Sequence, residues 1–382
     1  MPKMKRKDKD GTNPVALILI VCCLIAGFVI GSLDIFKVPE NAGLTERMGY
    51  FLLQFLLLFL SFFLQIIIHE GGHLIAGLLT GYRFSSFRIG KLMLLKNHEG
   101  YSFKKFSLAG TGGQCLLIPP DRETGGLYPY KLYNLGGVLM NLITAVLSFT
   151  VFFFITEKNT VSTFFLFLAI TGVILALMNG VPMRTGGIAT DGYNVIHIGQ
   201  ELFALDAMWL QLKFNEAQVE GVRLKNLPEE WFRIPDNADK NNEIISTISV
   251  FSENRAMDEL DFRKAKEIIA MLENSEEYSI IGLYKNLLLF DKVTIDLIEN
   301  GTNADISELE DRQIKAFRKT MRNYPAVIRT EYAIQLLKNR DFAAAEKYRH
   351  AFNAVASKYP WKSDIDSETD VMNYLDSCAN KN

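Results

Sequence analysis

Residues 48–73 read MGYFLLQFLLLFLSFFLQIIIHEGGH. From Met48 to Ile68 there is no charged side chain, and His69-Glu70-Gly71-Gly72-His73 follows at once. A helix needs ~20 apolar residues to cross a bilayer, so this stretch predicts a membrane span with an ionisable cluster near its end. Ionisable groups at that depth are costly and mark function. Their spacing carries chemistry. On a helix, positions i and i+4 share a face, so His69 and His73 can each turn a ring nitrogen toward one metal ion. Glu70 lies beside them, where a carboxylate can take a proton from an attacking water. Without an ion, the same residues read as the polar end of a membrane helix.

Working outward, four stretches have membrane length: 15–33, 48–79, 133–155 and 161–183. Lys3, Lys5, Arg6, Lys7 and Lys9 precede the first. Its apolar part exceeds the ~7–15 residues of a signal-peptide core and no small-residue cleavage site follows, so it reads as a retained signal anchor. Lys and Arg also crowd the segment between the second and third spans, from Arg83 to Lys131, while the other two connections hold few. By the positive-inside rule both termini are then cytoplasmic. The second span runs outside to inside, which puts His69 about 30 Å along it from Met48, toward the cytoplasmic side.

The 382 residues predict more than one unit. A net charge of −2 argues against nucleic acid as a partner. Cys22, Cys23, Cys115 and Cys378 show no CxxC spacing, so neither a thiolate metal site nor a disulfide framework is suggested. The expected fold is mainly α: a polytopic membrane helix bundle of about four spans, with a small β-containing cytoplasmic loop and a C-terminal α-helical cytoplasmic domain. The expected divisions are 1–47 (basic tail, signal anchor, outer loop), 48–200 (membrane catalytic core) and 201–382 (helical domain).

A catalytic metal site usually takes a third protein ligand. His98, His197 and His350 are each isolated in sequence. Asn179-Gly180-Val181-Pro182, followed by Asp191-Gly192 at the end of the fourth span, offers a carboxylate beyond a helix break. Irregular backbone at membrane depth survives only where protein or a wet cavity shelters it. Read by itself, Asp191 equally well caps the next helix.

With these elements together, the chain resembles the site-2 protease family of intramembrane metalloproteases. That family pairs His-Glu-x-x-His on one span with an Asn-x-x-Pro…Asp-Gly element on a later one. The matching residues are His69, Glu70 and His73, then Asn179, Pro182, Asp191 and Gly192. Gly137 and Asn141 match a Gly-x-x-x-Asn feature of the intervening span. The resemblance covers roughly residues 45–200. It implies that His69, His73 and Asp191 bind zinc, that Glu70 is the catalytic base, and that Asn141 helps to hold substrate or a transition-state oxygen. Two departures stand out. The usual proline-to-aspartate spacing is shorter, and a Leu commonly precedes the Asp. Here residues 184–189 lengthen the connection and Thr190 takes the Leu position.

Between the spans, residues 84–89 and 91–95 are strand-like, residues 96–100 supply a turn, and Tyr101-Ser102-Phe103 resumes the strand pattern. Gly110-Thr111-Gly112-Gly113 lacks the Lys-Ser/Thr of a phosphate loop and reads as a turn. Beyond Gly192 the chain is amphipathic and helical. Asp261-Phe262-Arg263-Lys264-Ala265 and Asp341-Phe342-Ala343-Ala344-Ala345 repeat a pattern, as in helix-hairpin arrays. The expected function is an intramembrane zinc metalloprotease acting on membrane proteins or membrane-associated peptides. It would sit in a bacterial cell membrane as a multi-pass protein in contact with lipid, its C-terminal domain open to a cytoplasmic protein partner. The alternative is a non-enzymatic membrane immunity factor or scaffold that keeps the metal site.

Overall fold

The structure, a computed structural model, describes residues 41–106, 112–122, 126–157, 159–185 and 188–381. The expected first span, 15–33, and its basic flank lie outside the described residues. What is described is mainly helical, with one four-stranded antiparallel sheet and one two-stranded hairpin. Among the described residues, three helices are long and apolar enough to cross a membrane: α1 (Leu44–Leu79), α2 (Tyr130–Phe154) and α3 (Thr160–Gly180). The chain packs as two compact units. Of the described residues, one takes those up to Gly81 together with Pro129–Ile198; the other takes those of Tyr82–Tyr128 with those from Gly199 onward.

In the first unit α1, α2 and α3 all pack on one another. The polarity of α1 is inverted relative to a helix of a water-soluble core. Phe51, Phe55 and Phe59 stand exposed, whereas Ser61, Gln65, His69 and His73 are buried. The buried residues recur every four positions, so they form one stripe along the helix. Lipid is as apolar as leucine and gives no reason to hide Phe from it; polar groups must instead find partners inside. The other two helices follow the same rule. Asn134, Gly136, Gly137, Asn141, Ala145 and Ser148 are buried on α2, and Ser162, Thr163, Thr171 and Gly172 on α3. Small residues at these positions let the backbones approach. The start of α3 is set by a capping box: Asn159 Oδ1 accepts from the amides of Val161 and Ser162, and Ser162 Oγ accepts from the Asn159 amide. The helix stops at Gly180, two residues before Pro182, sooner than the apolar run to 183 predicts. A proline disfavours the helical conformation in the residue before it.

The second unit begins with the sheet, ordered β3-β2-β1-β4, formed by β1 (Arg83–Ile89), β2 (Leu92–Asn97), β3 (Gly100–Lys105) and β4 (Gly113–Ile118). Phe87 pairs with Leu94 on one side and Cys115 on the other, and a bulge interrupts the β1–β4 pairing between Phe84 and Ser86. One face packs against α5 (Leu202–Val219), where the Trp209 indole donates to the Pro120 carbonyl at 3.1 Å and the Tyr128 hydroxyl donates to the Leu205 carbonyl. Helices α6 (Glu243–Asp258), α7 (Phe262–Asn274), α8 (Gly282–Asn300), α9 (Arg312–Thr320), α10 (Pro325–Ala333), α11 (Phe342–Ala356) and α12 (Lys362–Lys381) follow.

The repeated sequence pattern has a local cause. Asp261 and Asp341 are the N-caps of α7 and α11, accepting from the amides of Lys264 and Ala344 at 3.0 and 2.9 Å. Such a cap is typically worth ~1 kcal/mol. Each is preceded by a residue in the left-handed region, Leu260 and Arg340, which reverses the chain. Ala265 and Ala345, one turn into each helix, are buried, so the helix can lie close on its neighbour.

Candidate metal centre

Every residue of the candidate site lies in the first unit. The buried stripe of α1 presents His69 and His73 one turn apart. Their Nε2 atoms are 3.1 Å from each other. Asp191, the first residue of the short helix α4 (Asp191–His197), brings Oδ2 to 3.2 Å from His69 Nε2 and 3.4 Å from His73 Nε2. The three ligand atoms thus form a nearly regular triangle. Among the described residues, this is the group of His, Cys, Asp or Glu side chains that converges closely enough for one ion.

The path to Asp191 accounts for both departures from the family pattern. Strands β5 (Arg184–Thr185) and β6 (Ile188–Ala189) pair as a tiny antiparallel hairpin. Its base is closed by the Thr190 amide donating to the Met183 carbonyl at 3.1 Å. Gly186 and Gly187, between the two strands, lie outside the described residues. The added residues therefore leave and return at one place. Thr190 is the N-cap of α4. Its hydroxyl donates to the Val181 carbonyl at 2.8 Å and accepts from the Met183 and Tyr193 amides. Since Thr190 does the capping, the Asp191 carboxylate is left to the imidazoles. Gly192 lies directly on the Gly180 carbonyl, where any Cβ would overlap it, so the residue after the ligand has to be glycine for α4 to reach the end of α3.

Buried neighbours fix both imidazoles. The Asn141 amide nitrogen donates to the Gln65 backbone carbonyl at 2.9 Å and to Gln65 Oε1 at 2.8 Å. A backbone carbonyl only accepts, so the amide orientation of Asn141 is determined. Its Oδ1 therefore faces His69 Nδ1 at 2.7 Å, and that nitrogen must carry the proton. His73 Nδ1 is held in the same way by the Tyr133 carbonyl at 2.8 Å. In the neutral rings both Nε2 lone pairs then point at the carboxylate oxygen. Gln65 is tied in turn to α3 through the Leu168 carbonyl and to Thr144 of α2. Gly137 gives the His69 ring its place, since a Cβ there would fall 2.5–2.6 Å from three ring atoms.

This donor set fits a metal ion. A tetrahedral ion with bonds of about 2.0–2.1 Å has ligands about 3.3–3.4 Å apart, close to the three separations found. Asp191 Oδ2 is buried and makes no hydrogen bond, and acceptor atoms turned toward one another repel unless a cation lies among them. Ring nitrogens held by a carbonyl or amide on the far side are what metal-binding histidines characteristically show.

Glu70 is 9% exposed and follows His69 on α1. Asn141, expected to touch substrate, is fully buried and stands behind His69 as part of its support. Asn179 bonds back to the Leu175 carbonyl within α3. Of the isolated histidines, His98 pairs with Glu220 at 2.7 Å in the second unit, His197 packs on the Tyr193 ring, and His350 is 3.6 Å from Glu346. Gln65, Tyr133 and Thr144 escaped the sequence reading, and Thr190 was read as a departure from the Leu position, not as a cap. The signal for Gln65 was its place four residues before His69 and four after Ser61, on one face of the helix.

Comparison with models of known protein families, with curated proteins and with solved structures returned no match. The reading of the centre therefore stands on its chemistry. Asn141→Leu is expected to weaken metal binding about 10–100-fold, the usual cost of losing a residue that supports a ligand. Competition with a chromophoric chelator measures it, and Asn141→Asp, which keeps an acceptor toward His69, should retain more affinity. Equal affinity in Asn141→Leu and wild type would remove Asn141 from the support.

Proposed function

We propose that the protein is a membrane-embedded zinc metalloprotease that hydrolyses peptide bonds in or beside a substrate's membrane segment. The observation that carries this reading is the convergence of His69, His73 and Asp191, with both imidazoles held by buried partners, inside helices of membrane length. His69, His73 and Asp191 would hold the zinc, and Asn141 and the Tyr133 carbonyl would keep the two rings in register. When bound, zinc supplies a Lewis acid for the scissile carbonyl and lowers the pKa of water. The Glu70 carboxylate takes a proton from the water that adds to the carbonyl carbon. It passes that proton to the amine nitrogen as the carbon–nitrogen bond breaks. A helical substrate must first unwind, because its carbonyls are otherwise bonded within the helix. Residues that weaken a helix near the cut should favour cleavage. The decisive experiment is cleavage of single-span substrates by the reconstituted protein, wild type beside Glu70→Gln. Metal held with no cleavage of any substrate would favour a non-enzymatic immunity or scaffold role.

The same reading places four spans in a bacterial membrane with both termini in the cytoplasm, supported by the Lys and Arg distribution. Reporter fusions at Lys9 and Asn382 should both read cytoplasmic, and one at Lys158 external. An external reading at Asn382 would overturn the span count.

A further inference from the structure

The second unit holds a cavity of about 130 Å³ whose walls come from α6, α8, α10 and α12. Four carboxylates line it, Asp258, Asp291, Asp364 and Glu368, against one guanidinium, that of Arg329. Some of this charge is answered locally. Asp258 is bonded by Arg223 at 2.7 Å, Asp291 by Arg329 at 2.5 Å, and Asp364 by the Gln218 amide at 3.1 Å. The rest is not. Arg329 is fully buried, yet its Nε and Nη1 make no hydrogen bond. Glu368 Oε2 lies 3.2 Å from Arg329 Nε without hydrogen-bond alignment and is likewise buried and unbonded. Buried polar groups in this state cost free energy unless a partner arrives. Burial and neighbouring carboxylates push Asp364 and Glu368 up to about 7.

These features define the missing partner. It is not a single metal ion, because the carboxylates do not converge as the His69, His73 and Asp191 atoms do. Carboxylates outnumber the guanidinium on this wall, and a cation with several donors would hold them ionised. Tyr284, Tyr324 and Tyr359 line the same space, and aromatic side chains favour a flat cation beside them. Arg329 Nη1 needs an acceptor at the same time. A basic side chain joined to a peptide carbonyl supplies both. We propose that this cavity is a socket for an arginine side chain of a bound peptide, with the guanidinium toward Glu368 and Asp364 and an adjacent carbonyl accepting from Arg329.

The test is calorimetric titration of the full-length protein with acetyl-Gly-Arg-Gly-amide, its citrulline counterpart and agmatine. Citrulline keeps the shape of arginine and removes the charge; agmatine keeps the guanidinium and removes the carbonyls. The arginine peptide should bind at least about tenfold more tightly than either, the worth of one charge-assisted hydrogen bond. Glu368→Gln and Asp364→Asn, both isosteric, should each abolish that preference while leaving metal content unchanged. Equal binding of the arginine and citrulline peptides would overturn the proposal, as would no saturable binding of the arginine peptide up to about 10 mM, a range that covers weak contacts. Agmatine binding as tightly as the peptide would overturn the peptide part. The wild-type comparison of the three ligands holds even if a variant fails to fold.

Discussion

Replacing Glu70 by Gln is expected to leave metal content at the wild-type level and to lower peptide hydrolysis about 10²–10⁴-fold, the usual contribution of a general base. The two side chains have the same shape, and Glu70 is buried on the same helix as the two histidines, so the substitution leaves the packing of α1 undisturbed. An amide still bonds to a water but cannot accept its proton. Metal analysis and cleavage assays on the same preparation separate the two effects. Hydrolysis within about tenfold of wild type would exclude Glu70 as the base. Loss of metal in this variant would make it a ligand or a supporting residue.

Asp191→Ala should have the opposite signature, with metal affinity falling by more than the about 10–100-fold that a supporting residue costs. Asp191 Oδ2 is one of three atoms within 3.4 Å of one another, whereas Asn141 acts through His69. The helix itself should survive, because Thr190, not Asp191, caps α4. Circular dichroism should therefore match wild type while elemental analysis shows the metal gone, and His73→Ala should behave alike. Zinc undiminished in Asp191→Ala would strike the carboxylate from the centre and leave two histidines with an unidentified third partner.

The parts of this arrangement differ in how legibly the sequence carries them. His69 and His73 follow from helical spacing alone, since four residues on a helix return to one face. Asp191 is separated from them by more than a hundred residues, and no local rule distinguishes a ligand there from a cap. The helix break before it made it a candidate, and the resemblance implied a ligand rather than a cap. Gln65 went unread because its spacing to His69 says nothing of what it bonds, and Gln54 in the same run has no such role in the centre; its partners Asn141, Thr144 and Leu168 come from two other helices. Strand β4 was missed for a related reason. Residues 110–113 suggested a turn, and the strand that follows is defined by its pairing with β1, 24 to 35 positions away in the register from Ile89↔Gly113 to Arg83↔Ile118. By contrast, the Asp261 and Asp341 patterns were readable because a cap, a chain reversal and one buried alanine are all local events.

The closed base of the β5–β6 hairpin has a wider consequence. Met183 and Thr190 are joined by their backbones, so the number of residues between Pro182 and Asp191 does not measure how far apart those two are in space. A chain that gained or lost a pair of residues at the tip could build the same metal corner. A search that demands a fixed count between proline and aspartate would pass over it. Kinship among such centres is better sought in what touches the ligands than in the distance counted along the chain.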